Sequence, residues 1–355
     1  MRLPIITLAL CLLGANAVCD GVKIDYYVGA SLKTFGDSFV AQNNFTASLA
    51  GMMKSTQTNL GVSGTGASRV ALNGYANLPL NGGHYNIVAE AAANDLYRNG
   101  AAASTLSKIR DCYKAFLAAA FLNTAIPASS ASSSGPTGPI GPVGIWGEKA
   151  QSLGGTARYA PTNGAFLSWT FSGNSVVVGT FASDGTVYPL GDINVYIDNV
   201  LVETVNFAGD TDGNIGAYDS EKKQGLTPAA LVYTGLSAGS HTVKVEKAGG
   251  SYMLIDYFGT LVAPATAPSV FVGEVHKLNA IGYAAQPKRS PTVDAAGTAA
   301  IADSVNYFAD LGYPTVLVPI NDFYNLANGV SSDNEHPNSI GGVQIANAYV
   351  SKSRF

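Results

Sequence analysis

Charged side chains are scarce in this chain of 355 residues, where Asp, Glu, Lys and Arg make up only 12% of the sequence. Globular proteins average about twice that fraction. Lys and Arg number 20 against 24 Asp and Glu, which gives a formal net charge of −4 at pH 7. Because no basic surplus exists to neutralise phosphates, we expect no nucleic-acid partner. The 10% of aromatic residues also argues against a disordered charged tail protein.

Cysteine and histidine are rare, with three and four residues respectively. None of them stands in a CxxC or another metal-binding spacing, so no structural zinc site is predicted and no metal or cofactor is expected. Cys19 and Cys112 are the cysteines outside the N-terminal hydrophobic run. They could form a disulfide in an oxidising compartment, or Cys112 could simply be buried, and both alternatives stay open.

The hydrophobic run from Ile5 to Leu13 is too short to span a bilayer as a helix. It follows Arg2 and precedes the small-residue site Ala15-Asn16-Ala17, which is the layout of a secretory signal peptide cleaved after Ala17. We therefore predict a signal peptide over residues 1–17, secretion to the extracellular space and no stable membrane insertion. The alternative is an uncleaved core segment.

Short strand-like runs alternate with helical runs from about residue 22 to 127, and again after Pro268. Strands are predicted at Tyr26–Phe35, Gln57–Val62, Tyr85–Ala91, Val270–Val275 and Thr315–Ile320. Helices are predicted at Phe45–Met53, from a Ser104 cap to Leu117, at Ala299–Leu311 and from about Ser339. This alternation favours an α/β layer with a parallel sheet.

The middle of the chain, from Trp146 to Val262, shows period-two runs and no helical period. Asp198-Asn199 joins two of these runs as a tight hairpin would. The region therefore reads as two packed antiparallel sheets. Segments rich in Ser, Pro and Gly at 128–144 and at 264–268 read as linkers. The simplest account is one α/β domain in two parts, 18–135 and 266–355, with an all-β sandwich at 136–265 inserted into it.

The tripeptide Gly36-Asp37-Ser38 stands where the first predicted strand gives way to a helix. A serine on such a turn lies over a helix N-terminus, whose free amides favour negative charge. Both features suit a nucleophile whose reaction produces an oxyanion. The alternative for this motif alone is an ordinary helix-capping turn.

Asp333 and His336 stand three residues apart near the C-terminus. Within one loop this spacing brings the carboxylate to one imidazole nitrogen and leaves the other free to act as a base. Gly64 and Asn94 follow two further strands, and a backbone N–H and a carboxamide could both point at a developing oxyanion. The carboxyl ends of parallel strands meet at one crevice. An ordinary polar loop is the alternative for Asp333 to His336.

Together these residues resemble the SGNH (GDSL-type) hydrolase family, with its four sequence blocks in the right order. The resemblance implies a flavodoxin-like three-layer α/β/α domain and a Ser-His-Asp ester hydrolase. It makes Ser38 the nucleophile, His336 the base and Asp333 its orienting partner. The oxyanion donors would be the backbone amides of Ser38 and Gly64 and the side chain of Asn94.

Two positions depart from the family pattern. Ala92 replaces the usual Gly of the third block, where an added methyl could shift the Asn94 loop. Phe39 stands where the name-giving Leu often follows the serine. Neither change removes a group that the resemblance assigns to catalysis.

The inserted module resembles jelly-roll carbohydrate-binding-like domains of secreted SGNH esterases. Trp169 falls on the apolar face of its strand and is expected in the core, so Trp146 is the better candidate for an exposed sugar-stacking platform. His241 and His276 have no visible partners in the sequence and are interpreted as structural.

The first hypothesis is therefore a secreted carboxylic ester hydrolase that removes short acyl groups, O-acetyl above all, from an acylated polysaccharide. One alternative is a lipase or arylesterase acting on lipid or small esters. Another is a non-catalytic glycan-binding protein built on a retired hydrolase scaffold. Oligomeric state is not readable from the sequence.

Overall fold

The computed structural model describes residues 22–134, 138–139, 157–183, 190–206 and 226–355. The predicted signal peptide, Cys19 and Trp146 lie outside the described residues, so the predictions made for them stay predictions. The strands are β1 (Ile24–Asp25), β2 (Leu32–Gly36), β3 (Gln57–Asn59), β4 (Asn86–Glu90), β5 (Leu122–Pro127), β6 (Ser132–Ser134), β7 (Gly138–Pro139), β8 (Arg158–Ala160), β9 (Phe166–Ser172), β10 (Ser175–Ser183), β11 (Asp192–Ile197), β12 (Val200–Asn206), β13 (Leu226–Thr234), β14 (Ser240–Lys247), β15 (Met253–Leu261), β16 (Ser269–Gly273), β17 (Thr315–Val318) and β18 (Ser353–Arg354). The α-helices are α1 (Ser38–Ala41), α2 (Asn44–Met52), α3 (Ala67–Asn77), α4 (Ala93–Asn99), α5 (Ala103–Ala120), α6 (Ala280–Ala285), α7 (Pro291–Asp310), α8 (Ile320–Phe323) and α9 (Ser339–Ser351).

A five-stranded parallel sheet forms the centre of a mixed α/β arrangement. Its strand order is β3-β2-β4-β16-β17, and each neighbouring pair is parallel. All five residues of β4 and of β16 are buried, because helices cover both faces of the sheet. Residues of α2 and α9 pack on one face, and residues of α3, α5 and α7 pack on the other. The carboxyl ends of the strands therefore share one open edge.

The second half of the fold consists of two antiparallel sheets with a common apolar core. One sheet runs β13-β10-β15-β8-β7 with β5 beside β15, and the other runs β12-β11-β14-β9-β6. The predicted hairpin is confirmed, since Asp198 and Asn199 both have positive φ and Ile197 pairs with Val200. Trp169 packs against the shared core, as predicted.

The linker prediction for residues 128–134 is wrong. Ala128–Ser130 forms a 3-10 turn, and Ser132–Ser134 pairs with β9. Strand β5 also lies upstream of the predicted boundary at 136 and pairs with β15. The serine-rich composition of β6 did not reveal a strand, because ladder hydrogen bonds come from the backbone and not from the side chains. Between the sandwich and β16, Pro264–Thr266 forms a single 3-10 turn.

Helix α5 lies between the parallel sheet and the sandwich. Its C-terminal residues 115–120 are all buried, and their side chains are mostly alanine. A helix that is apolar on every side requires packing partners on every side. Sandwich residues Val177, Val232 and Tyr257 belong to the same core cluster as this helix, and the ring centroid of Tyr257 lies 5.3 Å from that of Tyr75 on α3.

Two helix starts differ from the prediction. Ser104 does not cap α5, which begins at Ala103 after Ala102 with no side-chain cap. Helix α7 begins at Pro291, well before the predicted Ala299, and Ser290 caps it by accepting a hydrogen bond from the Val293 N–H. Ser-Pro is a helix-start signal that the apolar spacing alone did not register. Within the described residues, no helix is long and apolar enough to cross a membrane.

Candidate active site

Ser38 lies at the carboxyl end of β2, as the first residue of the short helix α1. Gly36 is required at the strand end, because a Cβ there would lie 2.2 Å from the Glu90 carbonyl oxygen on β4. Asp37 caps the helix by accepting a hydrogen bond from the Phe39 N–H at 2.9 Å. The Gly-Asp-Ser sequence therefore supplies a close approach of the backbone, a helix cap and a partly buried hydroxyl, in that order.

The loop over residues 331–338, here called the DxxH loop, brings its histidine to this turn. His336 Nε2 lies 2.8 Å from Ser38 Oγ, although 298 residues separate them along the chain. His336 Nδ1 lies 2.8 Å from Asp333 Oδ2. The structure thus places Ser38, His336 and Asp333 in one continuous hydrogen-bonded series, with the imidazole between the hydroxyl and the carboxylate.

Local hydrogen bonds fix the DxxH loop. Asp333 Oδ1 accepts from the backbone N–H groups of Glu335 and His336, each at 3.0 Å. Ser331 N–H donates to the His336 carbonyl at 2.8 Å. At the loop's end, Asn338 caps α9 by accepting from the Ile340 and Gly341 N–H groups. The imidazole therefore keeps one orientation through bonds made by the loop's own backbone.

Asp333 is an ionised partner for the imidazole. Its partial burial opposes ionisation, but hydrogen bonds from the Glu335 and His336 amides and from the His336 ring outweigh this and hold the pKa of the carboxyl below its usual range. The Asp333 side chain is 48% exposed, whereas that of His336 is 13% exposed. The carboxylate therefore stays charged in contact with water, while the base is mostly enclosed.

The two predicted backbone oxyanion donors, Ser38 and Gly64, lie in segments that a backbone hydrogen bond joins. Gly64 adopts a left-handed conformation with φ of 74°, which favours glycine. Neither the Ser38 nor the Gly64 N–H has a hydrogen-bond acceptor among the residues that the structure describes. Val62 N–H donates to the Gly36 carbonyl at 2.9 Å, which ties the Gly64 loop to the strand end before Ser38.

The side chain of Asn94 lies in the same region, at the first turn of α4. Its Nδ2 donates to Asp37 Oδ2 at 3.1 Å and to the Thr65 carbonyl at 3.0 Å. The amide therefore joins the turn before Ser38 to the loop that carries Gly64. Both of its hydrogens have acceptors here, so donation to an oxyanion requires one of these two bonds to be exchanged.

A buried ion pair stabilises the loop that carries Gly64. Asp95 Oδ2 accepts from the Ala67 N–H at the start of α3, and Asp95 Oδ1 lies 3.3 Å from Lys108 Nζ. Both side chains of the pair are almost fully buried. A Cβ on Gly66 would clash with this carboxylate, so glycine is needed there. Arg98 also donates to the Gly64 carbonyl.

Ala92, which stands where the SGNH pattern usually has glycine, has a glycine-like backbone conformation. Its φ is 96° and its ψ is −17°, and it is fully buried. An L-residue in this region is strained by about 1–2 kcal/mol. With alanine at this position, Asn94 reaches both Asp37 and Thr65. The cost of alanine in place of glycine is therefore backbone strain at Ala92.

Ala92→Gly is expected to leave the free energy of unfolding close to that of the wild type. Relief of the strain offsets a loss of about 0.5–1 kcal/mol from glycine's greater unfolded-state entropy and about 0.8 kcal/mol from the missing methyl. Ala91 is the matched control, since it is also fully buried but does not have positive φ. Ala91→Gly should lose about 1–2 kcal/mol in chemical denaturation. Equal losses at both positions would show that Ala92 is not strained.

A buried acid–histidine pair, which the sequence interpretation missed, lies beneath the serine turn. Glu90 ends β4, and its Oε1 lies 3.1 Å from Nδ1 of His276. Both side chains are almost fully buried. Burial raises the pKa of Glu90 to about 8, and burial together with Arg289 lowers the pKa of His276 to about 3. Burial and the nearby Glu90 also raise the pKa of Asp37.

His241 forms a second histidine–carboxylate arrangement, in the sandwich. Its Nδ1 lies 2.6 Å from Asp198 Oδ2, and its Nε2 lies 2.8 Å from the Ser237 carbonyl. Because both ring nitrogens have oxygen acceptors, neither is left to take a proton from the nearby Ser237 hydroxyl. This histidine joins the 198–199 turn to the 237–241 segment, which agrees with its structural interpretation. Within the described part of the chain, no cluster of His, Cys, Asp and Glu could hold a metal ion.

Comparisons with known proteins give distant structural similarity alone. No protein family matches the sequence, and no curated protein matches it significantly. A CBM36-1 domain of a multidomain xylanase from the hindgut metagenome of Trinervitermes trinervoides aligns at 15% identity over 39% of this chain and 97% of that one, with a TM-score of 0.27. A family 35 carbohydrate-binding module from Clostridium thermocellum aligns at 12% identity over 39% and 99%, with a TM-score of 0.29.

A family two carbohydrate esterase from Cellvibrio japonicus aligns at 14% identity over 39% of this chain and 33% of that one, with a TM-score of 0.26. At these scores the similarity does not identify the activity of this chain. The functional argument therefore depends on the geometry around Ser38.

Proposed function

We propose that this protein is a secreted serine esterase of SGNH type. It is built from one flavodoxin-like SGNH domain into which a β-sandwich is inserted. The observation that carries the proposal is the series Asp333–His336–Ser38, with 2.8 Å at each contact of the imidazole. It lies at the carboxyl edge of the parallel sheet, where open α/β folds place their sites. The strand order β3-β2-β4-β16-β17 is the flavodoxin-like order, which supports the same proposal.

In the proposed mechanism, Ser38 Oγ attacks the ester carbonyl carbon while His336 Nε2 takes the hydroxyl proton. Asp333 keeps Nδ1 protonated and stabilises the imidazolium that forms. The N–H groups of Ser38 and Gly64 donate to the oxyanion, and Asn94 joins them by exchanging one of its present bonds. His336 then returns the proton to the leaving alcohol, and water releases the acid from Ser38 in a second cycle.

The proposed substrate is a short acyl ester, O-acetyl above all, on a polysaccharide. Secretion, which the N-terminal sequence predicts, and the inserted sandwich support this assignment. The sandwich shares a buried core with α3 and α5, and α3 follows the Gly64 loop directly. A polymer held by the sandwich would therefore be held by the same body that carries Ser38.

Acetate release from acetylated xylan tests the proposal, with p-nitrophenyl acetate and p-nitrophenyl octanoate as parallel substrates. We expect release from the polymer and a kcat/KM for acetate at least about tenfold above that for octanoate, because a site suited to acetyl lacks room for a long chain. Ser38→Ala sets the background rate in each assay. Rates that rise from acetate to octanoate would favour the lipase or arylesterase alternative. Glycan binding without Ser38-dependent turnover would favour the non-catalytic one.

A further inference from the structure

The carboxyl group of Glu90 is buried in the sheet, directly below the turn that carries Ser38. In the sheet register, Glu90 on β4 is the partner of Gly36, two residues before Ser38. On the other side, β16 provides glycine, and a Cβ on Gly273 would lie 3.0 Å from Glu90 Cγ. Glycines on both neighbouring strands thus leave the space that the Glu90 residue occupies. A side chain this polar is rarely placed in a sheet interior unless it has a specific partner.

That partner is His276, which connects Glu90 to the residue after the nucleophile. Glu90 Oε1 lies 3.1 Å from His276 Nδ1. The imidazole ring stacks on Phe39, with centroids 4.1 Å apart and planes at 7°. Phe39 directly follows Ser38 and is fully buried. Any movement of the His276 ring must therefore move Phe39, and with it the first turn of α1.

The backbone at His276 is fixed independently of Glu90. Arg289 Nη2 donates to the His276 carbonyl at 2.6 Å, and Arg289 forms a two-point ion pair with Asp294. The position of the His276 backbone is thus set by α7, while the orientation of its ring is set by Glu90 and Phe39. Loss of the Glu90 contact would free the ring and leave the loop in place.

We propose that Glu90 is a positioning residue, which holds Ser38 through its contact with His276 and the stacking of His276 on Phe39, and which must stay uncharged for the site to act. This inference rests on the proposed esterase function. An ionised Glu90 would place a buried negative charge beside Asp37 and below the position where the oxyanion forms. Such a charge opposes the transition state by simple repulsion in a medium of low dielectric.

The surroundings of Glu90 set the direction of its titration. Burial raises its pKa to about 8, Arg289 and His336 lower it, and Glu335 raises it. The titratable and charged groups that face it come from every neighbouring element: Asp37 before α1, Tyr113 on α5, His276 and Arg289 after β16, Tyr349 on α9, and Glu335 and His336 on the DxxH loop. Burial and Arg289 lower the pKa of His276 to about 3, so His276 is a neutral partner for the neutral Glu90. Glu90 is thus protonated below about pH 8 and ionised above it.

The test is the pH profile of kcat/KM for acetate release, followed from about pH 6 to about pH 10 in wild type, Glu90→Gln and Glu90→Ala. We expect the wild-type rate to fall on the alkaline side with an apparent pKa near 8. Glu90→Gln keeps a neutral hydrogen-bonding side chain, so it should retain the rate within a few-fold and lose that alkaline fall. Glu90→Ala should lower kcat about 10–100-fold with little change in KM, because the serine is misplaced while substrate contacts remain.

Glu274→Gln is the matched control. Glu274 follows β16 and accepts from the Asn321 N–H at 2.7 Å, so it is a neighbouring carboxyl that does not contact His276. This variant should keep the wild-type alkaline fall. An unchanged alkaline fall in Glu90→Gln, or a wild-type rate in Glu90→Ala, would overturn the inference.

Infrared difference spectroscopy separates the inference from the proposed esterase. A protonated carboxyl C=O band should disappear as the pH rises through about 8 in the wild type and should be missing from Glu90→Gln. Absence of this difference overturns the titration of Glu90 even when hydrolysis is present. If the band titrates as expected but the protein shows no Ser38-dependent hydrolysis, the proposed esterase function is overturned, and the positioning role with it. The ionisation of Glu90 would still be established.

Discussion

His336→Ala is expected to lower kcat/KM for acetyl ester hydrolysis by about 10⁴- to 10⁶-fold. His336 Nε2, at 2.8 Å from Ser38 Oγ, is the base placed to take the serine proton. A neutral hydroxyl without that base is a poor nucleophile, because its proton has no acceptor as the bond to carbon forms. Stopped assays of acetate release at high enzyme concentration can measure a residual rate of this size.

The decisive comparison is with Ser38→Ala and with the double variant. Groups that act as one unit are not additive, so the double variant should be no slower than the slower single variant. His84→Ala is the matched control, since His84 packs on Tyr27 with ring centroids 4.6 Å apart and takes no part in the Ser38 series. It should stay within about threefold of wild type. A double variant slower by the product of the single losses would show that Ser38 and His336 do not act together.

Asp333→Asn is expected to lower kcat/KM by about 10³- to 10⁴-fold. The Asn oxygen can still accept from the Glu335 and His336 amides, which both bond to Asp333 Oδ1, so the loop should keep its shape. The Asn amide nitrogen, however, would face Nδ1 and donate to it, which forces the proton onto Nε2. In that tautomer the imidazole cannot accept the proton of Ser38.

Two measurements show whether the loss of activity in Asp333→Asn comes from the tautomer of His336. Thermal unfolding should be nearly unchanged, because the bonds that shape the loop are retained. Asp322→Asn is the matched control on α8, where the carboxylate is exposed and outside the Ser38 series, and it should leave kcat/KM at the wild-type level. A loss below about tenfold in Asp333→Asn would mean that solvent or another group orients His336.

The candidate triad was predictable because its parts are local in sequence. A carboxylate three residues before a histidine can close a hydrogen bond within its own loop, whatever the rest of the fold does. Ser38 follows a strand and starts a helix, and both of these features are local patterns. Parallel strand ends then bring the two motifs together, since such ends share one edge of the sheet.

The buried pair Glu90–His276 could not be found in this way. Its members are 186 residues apart, and neither lies in a motif. The only local signal was a glutamate at the end of the buried strand β4, and its meaning depends on the glycines of two neighbouring strands. The strain at Ala92 was equally hidden, because a resemblance reports which residue is unusual but not which backbone angle it adopts.

The middle of the chain illustrates a different limit. Period-two alternation identified sandwich strands, but β5 was not predicted, and β6 was missed where composition suggested a linker. Their pairing partners, β15 and β9, follow much later in the chain. When a strand is stabilised chiefly by pairing with a strand far along the chain, its own residues give little indication that it is a strand.

The burial of α5 between two sheets would determine how the proposed esterase samples a polymer. A binding module on a flexible tether lets its catalytic partner sweep many bonds around one anchoring point. Here the sandwich and the Ser38 edge share one core, so the distance between an anchored sugar and the nucleophile is constant. The protein would then remove acyl groups at one fixed distance from each anchoring position. This would leave a regularly spaced pattern of deacylated sites along the polymer.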